Sequence, residues 1–172
     1  MKKYWQLVFI ILMIGVLVGL FVSSSMTYHQ QEMKPGFIHK YFPFMEAWVG
    51  HWNIYYGGRW HNAQMDNGVA GMTQFVMRKM AHFGSFFLLG LFSSLGLYKL
   101  FRSWGGPLLI WLGTIFVAFC DEFHQMLTGD RTPSIHDVML DSSGALLAIL
   151  ICMVAYVVIC WIKIYFIKQE SN

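Results

Sequence analysis

Residues 107–127 read PLLIWLGTIFVAFCDEFHQML. The apolar part, Pro107 to Cys120, is 14 residues, about 21 Å of helix at roughly 1.5 Å per residue. A bilayer core is about 30 Å thick. To cross it, the helix has to run on through Asp121-Glu122-Phe123-His124-Gln125 and end near Leu127, before Thr128-Gly129. Gly105-Gly106-Pro107 opens it, because proline suits a first helical turn. The stretch therefore carries a polar cluster on membrane helix, close to one interface.

The rest of the chain supports lipid as the solvent. Of 172 residues, 56% are hydrophobic and 17% aromatic, and only 12% are charged, where soluble domains carry about 25%. Three more stretches are long enough to span. Tyr4–Val22 is the first, and no Asp, Glu, Lys or Arg occurs between Tyr4 and Gln31. Another begins at Met80 and ends near Tyr98 or Lys99, holding the titratable His82, with helix expected from Asn67 or Gly68 onward. The last enters helix near Val138 and runs to Ile162, its unbroken apolar part starting at Ser142. The predicted fold is an all-α membrane protein of four transmembrane helices (about 4–22, 80–99, 107–127 and 138–162), one domain over 1–172. The net charge of +3 is small and dispersed, which gives nucleic-acid binding little support. Cys120, Cys152 and Cys160 lie in apolar stretches without CxxC spacing, so they read as inert packing thiols and not as a disulfide.

Lys2, Lys3, Lys99, Arg102, Lys163 and Lys168 flank the spans on one side, opposed only by Glu170. By the positive-inside rule both termini are cytoplasmic. The segment 23–79 and the connection 128–137 then lie outside, and eight of the nine acidic residues fall within them or at the outer ends of the spans. Met1-Lys2-Lys3 and Ser23-Ser24-Ser25 give the first span some likeness to a signal peptide. Its apolar run is too long, and it lacks an A-x-A site, so it reads as a retained span.

The outer segment is dense in aromatics: Phe37, Tyr41, Phe42, Phe44, Trp48, Trp52, Tyr55, Tyr56 and Trp60. Pro35-Gly36 and Pro43 break any long helix, and Ile54–Trp60 reads as a short hairpin turning on Gly57-Gly58, since Gly-Gly supplies positive φ. An aromatic belt at the headgroups is the favoured reading; a platform for an amphipathic ligand is the sharper one.

Three polar groups are expected to meet at the outer end. Arg78, Lys79 and His82 open the second span, with Arg78 and His82 on one face. Asp121, Glu122, His124 and Gln125 close the third. Arg131 lies in the following loop, and His136, Asp137 and Asp141 open the fourth. Some have plain explanations. Ser134-Ile135-His136-Asp137 fits a capping box, Asp141 gains from the helix dipole, and Arg78 and Lys79 can snorkel to headgroups. Asp121 and Glu122 resist this, because carboxylates at a helix C-terminus oppose its dipole. At membrane depth each costs about 3 kcal/mol or more unless paired. Arg78, Lys79, Arg131, a protonated histidine or a metal ion would have to meet them. Asp121 and His124 resemble half of a carboxylate-histidine bundle motif, with His82, His136 and Asp137 as further donors. No HExxH or Cys/His spacing accompanies them, so the metal question stays open, as does any cofactor. Gly144, Ala145 and Ala148 provide small residues for close helix packing.

Taken in order, Arg78-Lys79-Met80-Ala81-His82-Phe83, Asp121-Glu122-Phe123-His124-Gln125, Arg131, Asp137-Val138 and Gly144-Ala145 resemble the VanZ-like family across all four spans. Trp52-Asn53-Ile54-Tyr55-Tyr56-Gly57-Gly58 is similar to outer-segment sequence in some members. The resemblance implies a cell-envelope protein of the Gram-positive bacterial cytoplasmic membrane, associated with resistance to the lipoglycopeptide teicoplanin, without an agreed reaction. The chain departs from the family pattern at Ser85 and Phe86, where many members carry an acid and a tyrosine, and at Asp141, where an asparagine is common.

Two functions follow as expectations. One is binding or shielding of an outer-leaflet target, whether the antibiotic or a lipid-linked cell-wall precursor, with Arg78, Lys79 and Arg131 holding anionic groups. The alternative is an intramembrane enzyme acting on such a lipid, with Asp121 or Glu122 as base or ligand and His82 or His124 exchanging protons. A transporter fits less well, because there is no internal repeat and no discontinuous helix pair.

Overall fold

In a computed structural model, which describes residues 3–27, 29–128 and 133–170, four long helices form the bundle. These are α1 (Lys3–Ser24), α4 (Val69–Gly96), α6 (Gly106–Leu127) and α7 (Ile135–Glu170). Among the described residues all four have the length and apolarity to cross a membrane. The chain is an all-α, multi-pass membrane protein apart from one small hairpin.

Between α1 and α4 the chain follows its glycines and prolines. Pro35 and Pro43 each sit in the first turn of a seven-residue helix, α2 (Pro35–Tyr41) and α3 (Pro43–Val49). Strands β1 (Ile54–Tyr56) and β2 (Arg59–His61) pair antiparallel, Ile54 with His61 and Tyr56 with Arg59. Gly57 and Gly58 turn the hairpin at φ of 60° and 85°, a geometry open to glycine at little cost. Side chains on β1 alternate in direction, so Tyr55 is exposed while Tyr56 turns inward. Most of the aromatic residues nearby, Phe37, Tyr41, Phe44, Trp48 and Trp60 among them, are exposed. Met45 and Val49 of α3 are buried against Met72 and Val76 of α4. Helix α4 starts at Val69, as the sequence beyond Gly68 suggested, and its first turns serve as the wall on which this segment rests. A short helix α5 (Tyr98–Phe101) turns the chain into α6.

The bundle core is Leu20, Phe86, Leu89, Ala118, Val138 and Ala145. Helix α4 packs most extensively on α7, and the reason is steric. A Cβ built on Gly90 would stand 2.6 Å from the Ala145 carbonyl oxygen, and one on Gly144 would run into the Phe83 carbonyl. Ala145 and Ala148 are fully buried beside them. Such small residues let helix backbones approach where lipid offers no hydrophobic drive. Of the cysteines, Cys120 is exposed on the outer surface of α6 and not packed inside as expected, while Cys152 and Cys160 are half-buried; all three are free.

Candidate functional site

The last turn of α1, the first half of α4, the last turns of α6 and the first turns of α7 meet at one end of the bundle. Three groups of side chains fill the space between them.

The upper group joins the hairpin to α4 and α7. Asp137 accepts from Lys79 Nζ and from the Tyr56 hydroxyl. The Lys79 ammonium also stands 4.8 Å from the Tyr56 ring centre and 5.7 Å from that of Phe75, a cation–π setting. Burial, then the Asp137 carboxylate that it donates to, hold the Tyr56 hydroxyl above its usual range, so it remains a donor. Nearby, His61 stacks face to face on Phe75 at 3.8 Å, and Asp66 accepts from Arg59 (3.0 Å) while lying 3.1 Å from His61 Nδ1.

The middle group replaces an expectation. The capping box predicted for Ser134–Asp137 does not form through Asp137. Instead the Ser134 N–H donates to Glu122 Oε2 at 2.9 Å, so a carboxylate from α6 caps α7. The physical reason is competition. Two donors, one of them a cation, take Asp137, and charge-assisted bonds are the stronger ones. Glu122 thereby meets the positive end of the α7 dipole and escapes the cost of its own helix C-terminus.

The lowest group joins α1, α4, α6 and α7. Asp121 accepts from Ser24 Oγ on one oxygen and from Gln125 Nε2 (2.7 Å) on the other. His82 Nδ1 lies 4.0 Å from Asp121 Oδ2 and 3.5 Å from Asp141 Oδ2. Asp141 is 0% exposed. Among the described residues, neither of its oxygens has a hydrogen-bond partner, and neither has His82 Nδ1. One atom from each of His82, Asp121 and Asp141 lies within 4.8 Å of the others, so this trio can hold a metal ion.

The other expected site residues make different contacts. The Arg78 guanidinium bonds the amide oxygen of Gln74 at 2.9 Å. His124 stacks on Phe21 of α1, centres 4.8 Å apart, and is not among the residues whose ligand atoms converge in the trio. His136 is exposed beside Tyr56. Arg131 lies outside the described residues.

A cavity of about 490 Å³ is lined by Arg78, Lys79, Glu122, Gln125 and Asp137 and, of the trio, by His82. An apolar groove of about 300 Å³ adjoins it, lined by Ile54, Val76, Met80, Phe83 and Leu140. Tyr56, Phe75 and Lys79 border both.

The sequence profile of the VanZ/LLP1 family matches residues 9–162, from the early turns of α1 to the rear of α7. The chain belongs to the VanZ/LLP1 family. No curated protein and no solved structure matches it. In this VanZ-like chain, sequence reasoning alone gave no site role to Tyr56, Ser24 or the His61–Asp66 pair. Tyr56 did carry a signal, since it precedes the only Gly-Gly of the outer segment. Ser24 carried none, because a serine at the end of an apolar run gives no hint of a partner 97 positions away.

Proposed function

We propose that the site end of this VanZ-like protein faces outward from the bacterial cytoplasmic membrane. There it takes an amphipathic outer-leaflet ligand, either a lipid-linked cell-wall precursor or a lipoglycopeptide, and by binding or shielding it lowers susceptibility to teicoplanin. The observation that carries this reading is the shared wall of Tyr56, Phe75 and Lys79 between a polar cavity and an apolar groove. An anionic head fits beside Arg78 and Lys79, and a lipid tail fits along Met80 and Phe83. The orientation rests on the basic flanks at the opposite end. A second reading, chemical modification of the same lipid, is favoured by one observation: His82 and Glu122 both line the cavity and Asp121 lies against His82.

The test is expression in a susceptible Gram-positive host. Wild type is expected to raise the teicoplanin inhibitory concentration severalfold and to leave that of vancomycin little changed. Lys79→Gln, at equal membrane abundance, is expected to remove most of the protection. A wild type without effect on teicoplanin sinks the resistance reading. Asp121→Asn, Glu122→Gln and His82→Ala separate the two mechanisms. Binding predicts partial protection in each, whereas chemistry predicts none, together with an altered envelope lipid that wild type alone produces.

A further inference from the structure

We infer that His82, Asp121 and Asp141 form a binding site for one divalent transition-metal ion, beside the cavity that His82 lines. The inference does not depend on the ligand proposed above.

The starting point is Asp141. A carboxylate wholly shut off from solvent is expected to be hydrogen-bonded or to coordinate a metal, yet among the described residues no donor reaches either oxygen. The nearest charge partner is His82, and its Nδ1 at 3.5 Å makes no hydrogen bond. A protonated His82 would form an ion pair with one Asp141 oxygen, but without a hydrogen bond, and the other oxygen keeps no donor among the described residues. Lys79, one of the expected counter-charges, is committed to Asp137, and Asp121 receives two neutral donors. Two carboxylates and an unbonded imidazole nitrogen thus converge from three different helices on one point.

A single cation at that point satisfies every one of them. Two atoms each about 2.1 Å from one ion stand about 3.0 Å apart at a right angle and about 4.2 Å apart when opposed. The separations of 3.5 and 4.0 Å from His82 Nδ1 fall within that range. One nitrogen and two carboxylate oxygens suit Zn²⁺ or Mn²⁺, because imidazole disfavours the all-oxygen preference of Mg²⁺ and Ca²⁺. Ser24 and Gln125 hold the Asp121 carboxylate, as the outer partners of metal ligands do. Three protein ligands leave positions for water or a substrate oxygen, the pattern of a reactive site more than of a structural one.

The test uses tag-free, full-length protein in detergent, stripped with chelator and then dialysed against Zn²⁺ or Mn²⁺ alone. Elemental analysis is expected to find about one ion per chain, the stoichiometry of a single three-ligand site. Asp141→Asn and His82→Gln are expected to weaken uptake by more than about tenfold, while Glu46→Gln on α3, whose carboxylate pairs with His39, leaves it intact. Chelator is expected to lower the melting temperature of wild type and not of Asp141→Asn. Should a ligand variant fail to stay monodisperse, pulsed electron paramagnetic resonance on Mn²⁺-loaded wild type gives an independent reading, with coupling to one imidazole nitrogen expected. Absence of stoichiometric metal, uptake unchanged in Asp141→Asn, or bound Mn²⁺ without nitrogen coupling would each overturn the site. Metal binding that holds while wild type fails to affect teicoplanin leaves this inference standing and removes the resistance reading.

Discussion

Helix α7 is one apolar rod with two different surfaces. Its front, up to Ile149, buries Val138, Asp141, Ser142, Gly144, Ala145 and Ala148. Its rear, from Leu150 to Phe166, exposes Ile151, Val154, Val157, Val158, Trp161 and Ile164. Both halves are hydrophobic enough for a membrane, so hydropathy does not distinguish them. Side-chain size does. Where lipid is as apolar as leucine, helices meet where their residues are small, and the front of α7 is where Gly144, Ala145 and Ala148 cluster. The same small face that lets α4 approach also brings Asp141 up to His82. Packing and chemistry on this helix thus share one cause.

The strongest way to break that contrast is Gly144→Val. The added side chain would meet the Phe83 backbone carbonyl, which cannot swing aside as a side-chain tip can. Overpacking costs typically 1–3 kcal/mol, and a backbone contact belongs at the upper end, so a loss of about 3 kcal/mol is expected. Thermal unfolding in detergent reads it. Wild-type stability in this variant would mean that α4 and α7 do not cross closely, and the geometry of the trio would go with it.

How far the sequence reached follows the same division. The four spans were readable from length and apolarity, the hairpin from Gly57-Gly58, and the close crossing from Gly144 and Ala148. The polar residues were readable as a group, because Asp121 and Glu122 at a helix C-terminus need explaining wherever they point. Their partners were not. Glu122 was expected to seek a cation, and it found a backbone N–H at the start of α7. Asp137 could be read either as a cap of its own helix or as a site residue, and it found Lys79 and Tyr56. His124 shares a helical face with Asp121 in sequence, but α1 supplies Phe21 for it to stack on. Periodicity gives the face of a helix; which neighbour stands opposite is a tertiary fact. Asp141 stood out in sequence as a departure from the family pattern, and only the fold set it beside His82.

Glu122 gives a sharper and smaller test of how the front of α7 is held. Glu122→Ala leaves the Ser134 N–H without its acceptor, and loss of a helix cap costs about 0.5–2 kcal/mol. Glu122→Gln keeps an oxygen in the same place and is expected to lose less than half as much. Both are read as shifts in melting temperature under one detergent condition. Equal losses would show that the charge of Glu122, set against the α7 dipole, matters more than the bond it accepts.

The smallest effect is expected at the rear of α7, and it tests the other half of the contrast. Val154 and Val157 are 64% and 63% exposed, with no described helix over them. If lipid alone covers this surface, Val154→Ala exchanges one apolar contact with acyl chains for another. Alanine also has the better helix propensity, which offsets part of the lost contact. The net change in unfolding free energy is then expected within about 0.5 kcal/mol, as for substitutions away from packed features. The same should hold for Val157→Ala and for the two together, since neither has a partner to lose. A clear destabilisation that grows with protein concentration would mean that a second copy covers the rear. The division of α7 would then be between an internal and an external protein interface, and small size at the front would no longer explain why only that half is buried.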